Sequence, residues 1–336
     1  MDIDLCYLLL VPLQPHTVRG PLEAVTTPKD APYFFDLDIE FRSAGESERT
    51  VADTPVRVRR QVLDETVWLA ECRYRLTDAF GETALARKVA VHTALRQDLL
   101  QDAGYSGPLV EEYTAALVQR AEPSPDEFTD AYAIPLARLL HSDTEPIKAI
   151  DISEMLGARA RYSPHDLTVV DWVGGVIIAK DGDFQSDIEL MKIGNYQILR
   201  YRLLDDAIDR NLQRLRDNVE RTRLRWLPTS NQTLQNIVEQ RLSLLLDFEK
   251  IDQSLLLIGD WYAARVYRLI VDEFYLDEWK AAVSAKLDSL AAMDAIVREN
   301  LSLSWSRIFD ALQLIGWMVM LVGYFVLFIL DMQARR

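Results

Sequence analysis

Leu167-Thr-Val-Val-Asp-Trp-Val-Gly-Gly-Val-Ile-Ile-Ala179 divides the chain into two kinds of sequence. Val169, Val170, Val173, Val176, Ile177 and Ile178 form a nearly continuous apolar, β-branched run, the composition of a buried strand region. Lys180-Asp-Gly-Asp183 follows it as a turn. Before this run the hydrophobic period is mostly two, and after it the period is three to four. That change predicts an α+β fold: a mixed α/β N-terminal domain over 1–180, then a helical segment over 186–306.

Working back toward the N-terminus, Phe35, Leu37, Ile39 and Phe41 alternate with Asp36, Asp38, Glu40 and Arg42. Val56 and Val58 alternate with Arg57 and Arg59, and Val67 to Leu76 continues the pattern of half-buried strands. The N-terminus from Met1 to Pro12 opens with two acids, Asp2 and Asp4, and no cation, so its apolar run reads as a buried strand and not as a signal peptide. Proline and glycine at 12, 15, 20, 21, 28 and 32 mark a long loop behind it. Helical periodicity predicts helices over Glu82–Leu100 and Pro108–Arg120.

Working forward, Ser186 and Glu189 have capping-box spacing, which predicts a helix from about Asp187 to Arg225. Leu227-Pro228 ends it. A second helix carries Leu234 to Leu255, a third holds Trp261, Val266, Tyr267 and Ile270, and a fourth starts at Asp277. In the last, Trp279, Val283, Leu287, Leu290, Val297 and Leu301 recur at coiled-coil spacing. The expectation is an antiparallel helical coiled-coil stalk. Ala311 to Leu330 is apolar apart from Gln313 and two glycines, and a twenty-residue helix covers ~30 Å, the thickness of a bilayer core. This predicts one C-terminal transmembrane helix with a short tail, 331–336. Localisation follows as a single-pass, tail-anchored membrane protein with its N-terminal domain in the cytoplasm, a bacterial inner membrane being favoured.

The 336 residues hold 52 Asp and Glu against 37 Lys and Arg, so the global field repels nucleic acid and anionic lipid. Two distant cysteines, Cys6 and Cys72, disfavour a disulfide framework or thiolate zinc site. His16, His92, His141 and His165 have no partner at ligand spacing. Asp205, Asp206 and Asp209 have a D-D-x-x-D spacing that could hold magnesium, but no second acidic motif faces them; Asp206–Arg210 and Asp217–Arg221 read as i,i+4 pairs. Gly174-Gly175 lies inside a strand pattern, where close backbone packing explains it. These residues predict no enzyme, no cofactor and no metal.

Two surfaces stand out as interaction sites. Arg214, Arg216, Arg221, Arg223 and Arg225 concentrate positive charge in an acidic chain, suited to an anion or a phosphate-rich partner. Gly316 and Gly323 lie seven residues apart with Gln313 about a turn earlier, a face on which helices can approach closely and self-associate.

Asp171-Trp-Val-Gly-Gly-Val-Ile-Ile178, Asn195-Tyr-Gln-Ile-Leu199, Leu204-Asp-Asp-Ala-Ile-Asp-Arg210 and Gly259-Asp-Trp-Tyr-Ala-Ala-Arg-Val-Tyr267, followed by Trp279 and Lys286-Leu287, resemble the "required for meiotic nuclear division" family over about residues 170–330. The resemblance implies an α+β front half, a C-terminal membrane helix and an oligomeric anchored scaffold with a role near translation. The function expected from residues and resemblance together is a membrane-anchored, homo-oligomeric scaffold that presents its N-terminal domain to a soluble protein or ribonucleoprotein partner. An oligomeric pore gated by that domain is the alternative.

Overall fold

The computed structural model describes residues 1–14, 23–24, 39–142, 149–224, 242, 245–246, 248–249 and 261–334. In chain order the strands are β1 (Ile3–Pro12), β2 (Glu23–Ala24), β3 (Phe41–Val51), β4 (Thr54–Leu63) and β5 (Val67–Leu76). Then come α1 (Ala84–Asp102), β6 (Glu111–Val118), α2 (Pro125–Ala131), α3 (Ala133–His141), α4 (Ala149–Met155), β7 (Arg159–Ala160), β8 (Leu167–Val170) and β9 (Gly174–Ile178). Beyond β9 the structure describes the helices α5 (Gln185–Leu224), α6 (Trp261–Glu273) and α7 (Leu276–Ala334). The fold is α+β.

The strands form one nine-stranded sheet in the order β2-β3-β4-β5-β1-β6-β9-β8-β7. Neighbours are antiparallel except β6 and β9, which run parallel. β1 sits between β5 and β6. Its odd residues Ile3, Leu5, Tyr7, Leu9 and Val11 join the core with Val91, Leu95 and Leu99 of α1 and Leu136, Leu139 and Leu140 of α3. Its even residues Cys6, Leu8 and Leu10 are equally buried on the other face. A strand covered on both sides has no polar period, which is why Cys6 to Val11 reads as an unbroken apolar run.

The expected helix over Pro108–Arg120 is instead β6. Ala115, Ala116 and Leu117 favour a helix in isolation, but six consecutive residues from Tyr113 are buried between β1 and β9, and ladder pairing overrides that propensity. The Gly174-Gly175 expectation has a direct cause. A Cβ on Gly174 would lie 2.6 Å from the Thr114 carbonyl oxygen, and one on Gly175 2.7 Å from that of Val169.

The chain divides into two compact units: Met1–Leu204 with Phe248–Ala282, and Asp205–Asp247 with Val283–Arg336. In the first, α5 and α6 approach closely at Gly194, where an added Cβ would fall 2.3 Å from Ile270 Cγ2 and 3.1 Å from Phe274 Cε2. In the second, Val283, Leu287 and Leu290 of the heptad pattern are buried.

The membrane expectation is corrected. Among the described residues no helix is long and apolar enough to cross a membrane. The apolar side chains described on α7 between Leu312 and Leu327 are interrupted by Gln313, Gly316 and Gly323. The expected transmembrane helix, tail anchor and single-pass localisation are not supported by this helix.

Candidate functional site

The sheet face beneath α5 carries charge where its neighbours are apolar. Glu71 and Arg73 of β5 share a face with Cys6, because β1 and β5 pair Cys6 with Arg73. Lys192 of α5, fully buried, reaches down to them: its Nζ lies 2.6 Å from Glu71 Oε2 and 2.8 Å from Glu189 Oε1, and donates to Gln61 Oε1 at 2.9 Å. Arg73 Nε donates to Glu71 Oε1 at 2.6 Å and its Nη2 to Gln185 Oε1 at 2.6 Å. Two cations therefore meet two carboxylates with no net charge. Burial alone would raise the Glu71 pKa, but Lys192 and then Arg73 hold it down to about 2. The same anions outweigh burial at Lys192 and raise its pKa. This network pins α5 to the sheet in one register.

Glu189 is thus spent inward. The expected capping box with Ser186 does not form, because the helix starts at Gln185, whose N–H donates to Asp183 Oδ1 at 3.3 Å. Gln185 Nε2 donates to Glu189 Oε1 at 2.5 Å.

On the opposite face α1 buries Lys88, 1% exposed. Its Nζ donates to the carbonyl oxygens of Leu139 and, at 3.0 Å, Leu140, and to Ser142 Oγ at 2.9 Å. Those carbonyls belong to the last turn of α3, where a helix leaves acceptors without intrahelical donors, and Ser142 ends it in the left-handed conformation at φ 56°. Burial pushes the Lys88 ammonium down to about 8. Three oxygen acceptors nevertheless account for all three of its protons. Lys88 is a helix cap supplied from another helix.

A third buried group joins α5, α6 and β8. Tyr262 Oη donates to Asp187 Oδ1 at 3.1 Å and lies 3.0 Å from Thr168 Oγ1. Burial raises the Asp187 pKa to about 6, against the two hydroxyls. An acid whose folded pKa exceeds its unfolded value contributes stability that is complete below about pH 4 and lost as pH rises through about 6. Asp187→Asn is expected to abolish that segment of the stability-versus-pH curve, about 3 kcal/mol in span, in urea titrations from pH 4 to 7. A curve that keeps the segment would place the titration elsewhere.

The residues singled out from sequence are placed as follows. Asp205 and Asp209 lie 2.6 and 2.9 Å from Lys286 Nζ, and Asp206 lies 2.9 Å from Arg210, the i,i+4 pair expected. The acidic triplet is held by side-chain cations. Among the described residues no three His, Cys, Asp or Glu side chains are grouped to hold a metal ion. His92 is sandwiched against Tyr7 and Tyr74, and burial pushes its pKa down to about 3. His141 Nε2 lies 2.8 Å from Asp171 Oδ2, while His165 is exposed and His16 falls outside the described residues. Cys6 and Cys72 are free, buried and on opposite faces of the sheet.

Arg214 and Arg216 are exposed on α5. Arg221 and Arg223 lie on its last turn with side chains outside the description, and Arg225 is outside the described residues. Gln313, Gly316 and Gly323 are exposed on α7, and a Cβ on either glycine would meet nothing within 4 Å.

The fold and its buried charges define an α+β protein built on a mixed nine-stranded sheet with a long helix ion-paired to one face. Within that class, residues 58–185, which begin inside β4, run through β9 and include Glu71, Arg73 and Lys88, match the family model "Uncharacterized protein MJ0711, N-terminal domain". "Uncharacterized protein MJ0711" of Methanocaldococcus jannaschii is 28% identical over 182 residues, 53% of this chain and 55% of that protein. The chain thus spans about half the length of this relative. No solved structure matches it.

Proposed function

We propose that this protein is a non-catalytic, self-associating scaffold. Its long helices assemble copies as a coiled-coil stalk, and its α+β unit is presented to a soluble protein or ribonucleoprotein partner. The observation that carries the reading is α7. Every large apolar side chain described from Leu312 to Leu327 is at least half exposed in the single chain. A helix that is apolar all round is stable only when something covers it, and contiguous exposed apolar surface of this kind marks an association site. Other copies of the same helix are the covering proposed. Gly316 and Gly323 permit close backbone approach there.

Several further observations support the reading. The carboxylates of the D-D-x-x-D segment are engaged by Lys286 and Arg210 and serve structure. Exposed Arg214 and Arg216 leave a basic surface for an anionic partner. The resemblance to the "required for meiotic nuclear division" proteins favours an α+β front half on an oligomeric scaffold, without the membrane helix it also implies.

Size exclusion with light scattering on the full chain is expected to give at least twice the 38.5 kDa chain mass, and a chain ending at Ser306 is expected to give fewer copies. A monomeric mass for the full chain would overturn the scaffold reading.

A further inference from the structure

The outward face of α6 is not explained by its inward face. Tyr262, Ala263, Val266 and Ile270 are buried toward the sheet, where the helix packs over β7 and β8. Trp261, Arg265, Arg268 and Asp272 are exposed along the other side, and Tyr275 follows immediately. Trp261 is 60% and Tyr275 57% exposed.

Each end of this stripe is widened by a second aromatic. Tyr162, from the β7–β8 loop, stacks on Trp261 at 6.1 Å between ring centres. Trp172, at the tip of the β8–β9 hairpin, packs edge-on against Phe274 and beside Tyr275, each at 6.0 Å. Asp171 shapes that hairpin by accepting from the Val173 N–H at 3.2 Å, which leaves Trp172 and Val173 exposed.

The charges on the stripe run against the helix dipole. Arg265 lies in the N-terminal half and Arg268 just past the centre, while Asp272 and Glu273 occupy the last turn. The dipole favours cations near the C-terminus, so Asp272 and Glu273 in the last turn cost helix stability. The Arg268–Asp272 spacing is also the less favourable i,i+4 orientation, and no ion pair joins the two in the structure. An arrangement that opposes the helix yet places opposite charges at opposite ends is complementary to itself when turned end for end.

We infer that the outward face of α6 is a two-fold docking face for a second copy of this chain, with the two α6 helices antiparallel. This rests on the self-association proposed above and names a contact for it. Setting Arg265 opposite Asp272 of the second copy brings Arg268 within three residues of the same Asp272, ~4.5 Å along the axis, and Trp261 within one residue of Tyr275, ~1.5 Å. One patch then serves both partners, as an isologous interface requires. Both aromatic ends find partners in that register, as do Arg265 and Asp272, while the two copies of Arg268 flank the two-fold axis, ~1.5 Å apart along the helix.

The test places Arg265→Cys and Asp272→Cys together in the full-length chain and treats it with a short bismaleimide. The native cysteines are buried. Several-fold more cross-linked dimer is expected from the double variant than from either single variant, because only the double one sets two thiols opposite each other. As a second measurement, Arg265→Asp with Arg268→Asp is expected to lower the copy number by light scattering, and adding Asp272→Arg to restore it. Equal or greater cross-linking by a single variant would overturn the antiparallel register. An oligomeric mass without cross-linking, and unmoved by charge reversal, would overturn this face while the scaffold reading stands. A monomeric mass would overturn both.

Discussion

Lys192→Met is expected to lower the free energy of unfolding by about 3–5 kcal/mol, the cost of removing one partner from a buried ion pair and leaving the other charge behind. The substitution is nearly isosteric, so the loss is electrostatic. Glu71 is 2% exposed and would keep only Arg73, while Glu189 would keep only the Gln185 amide. Because the Glu71 carboxyl is held at about 2, well below its usual range, its contribution is present above about pH 4.5 and lost as pH falls through 2. Lys192→Met should raise that folded pKa and so flatten the acid limb of the stability curve. Adding Glu71→Leu to Lys192→Met leaves Arg73 facing Glu189, one cation and one anion, and is expected to recover much of the loss. Urea unfolding of the two single variants and the double one measures the coupling. Additive losses would show that Lys192 and Glu71 act independently and would refute the network.

Lys88→Met is the second large effect, about 2–4 kcal/mol. Two carbonyl oxygens of α3 and the Ser142 hydroxyl lose their donor in a site the solvent does not reach, and each buried acceptor left without a partner costs about 1–3 kcal/mol, partly relieved by local relaxation. The last turn of α3 is expected to fray first. Amide exchange of residues 136–142 separates this from global loss: protection falling there more than in β1 and β5 supports the cap, and uniform loss contradicts it.

The two sites differ in how much of them the sequence displays. Glu71 and Arg73 lie among Val67, Trp68, Leu69 and Ala70, and Lys192 directly follows Met191. A charge in a strand covered on both faces, and a lysine three residues from an acid on a buried helix face, are the marks of paired ions. Strict alternation masks the first, because Glu71 and Arg73 also fit the polar half of a period-two strand. Lys88 carries no comparable signal. It sits in an ordinary amphipathic helix between Arg87 and Val89, and its partners are backbone atoms fifty residues away. The absent capping box has the same origin: Ser186 and Glu189 have the right spacing, but the ion network competes for Glu189 and wins.

β6 marks the limit of periodicity. Glu111 to Val118 is rich in helix formers, and local propensities of a few tenths of a kcal/mol per residue cannot outweigh two ladders of hydrogen bonds and burial on both faces. The same holds for the apolar stretch of α7, since composition states only that it is apolar.

By itself the sequence determined the α+β class, the strands from Ile3 to Pro12 and from Val67 to Leu76, the helix from about residue 84, the tight glycines at 174 and 175, and the helical character of α5, α6 and α7. Each depends on near neighbours in the chain, through hydrophobic period, turn residues or a missing Cβ. Only the tertiary structure decided that β6 is a central strand, that Lys192 closes a neutral cluster with Glu71, and that Lys88 ends α3. It also decided that the charges of α6 stand exposed in reverse dipole order. Those outcomes depend on which residues distant in sequence share one buried site, where pairing and desolvation outweigh any local preference.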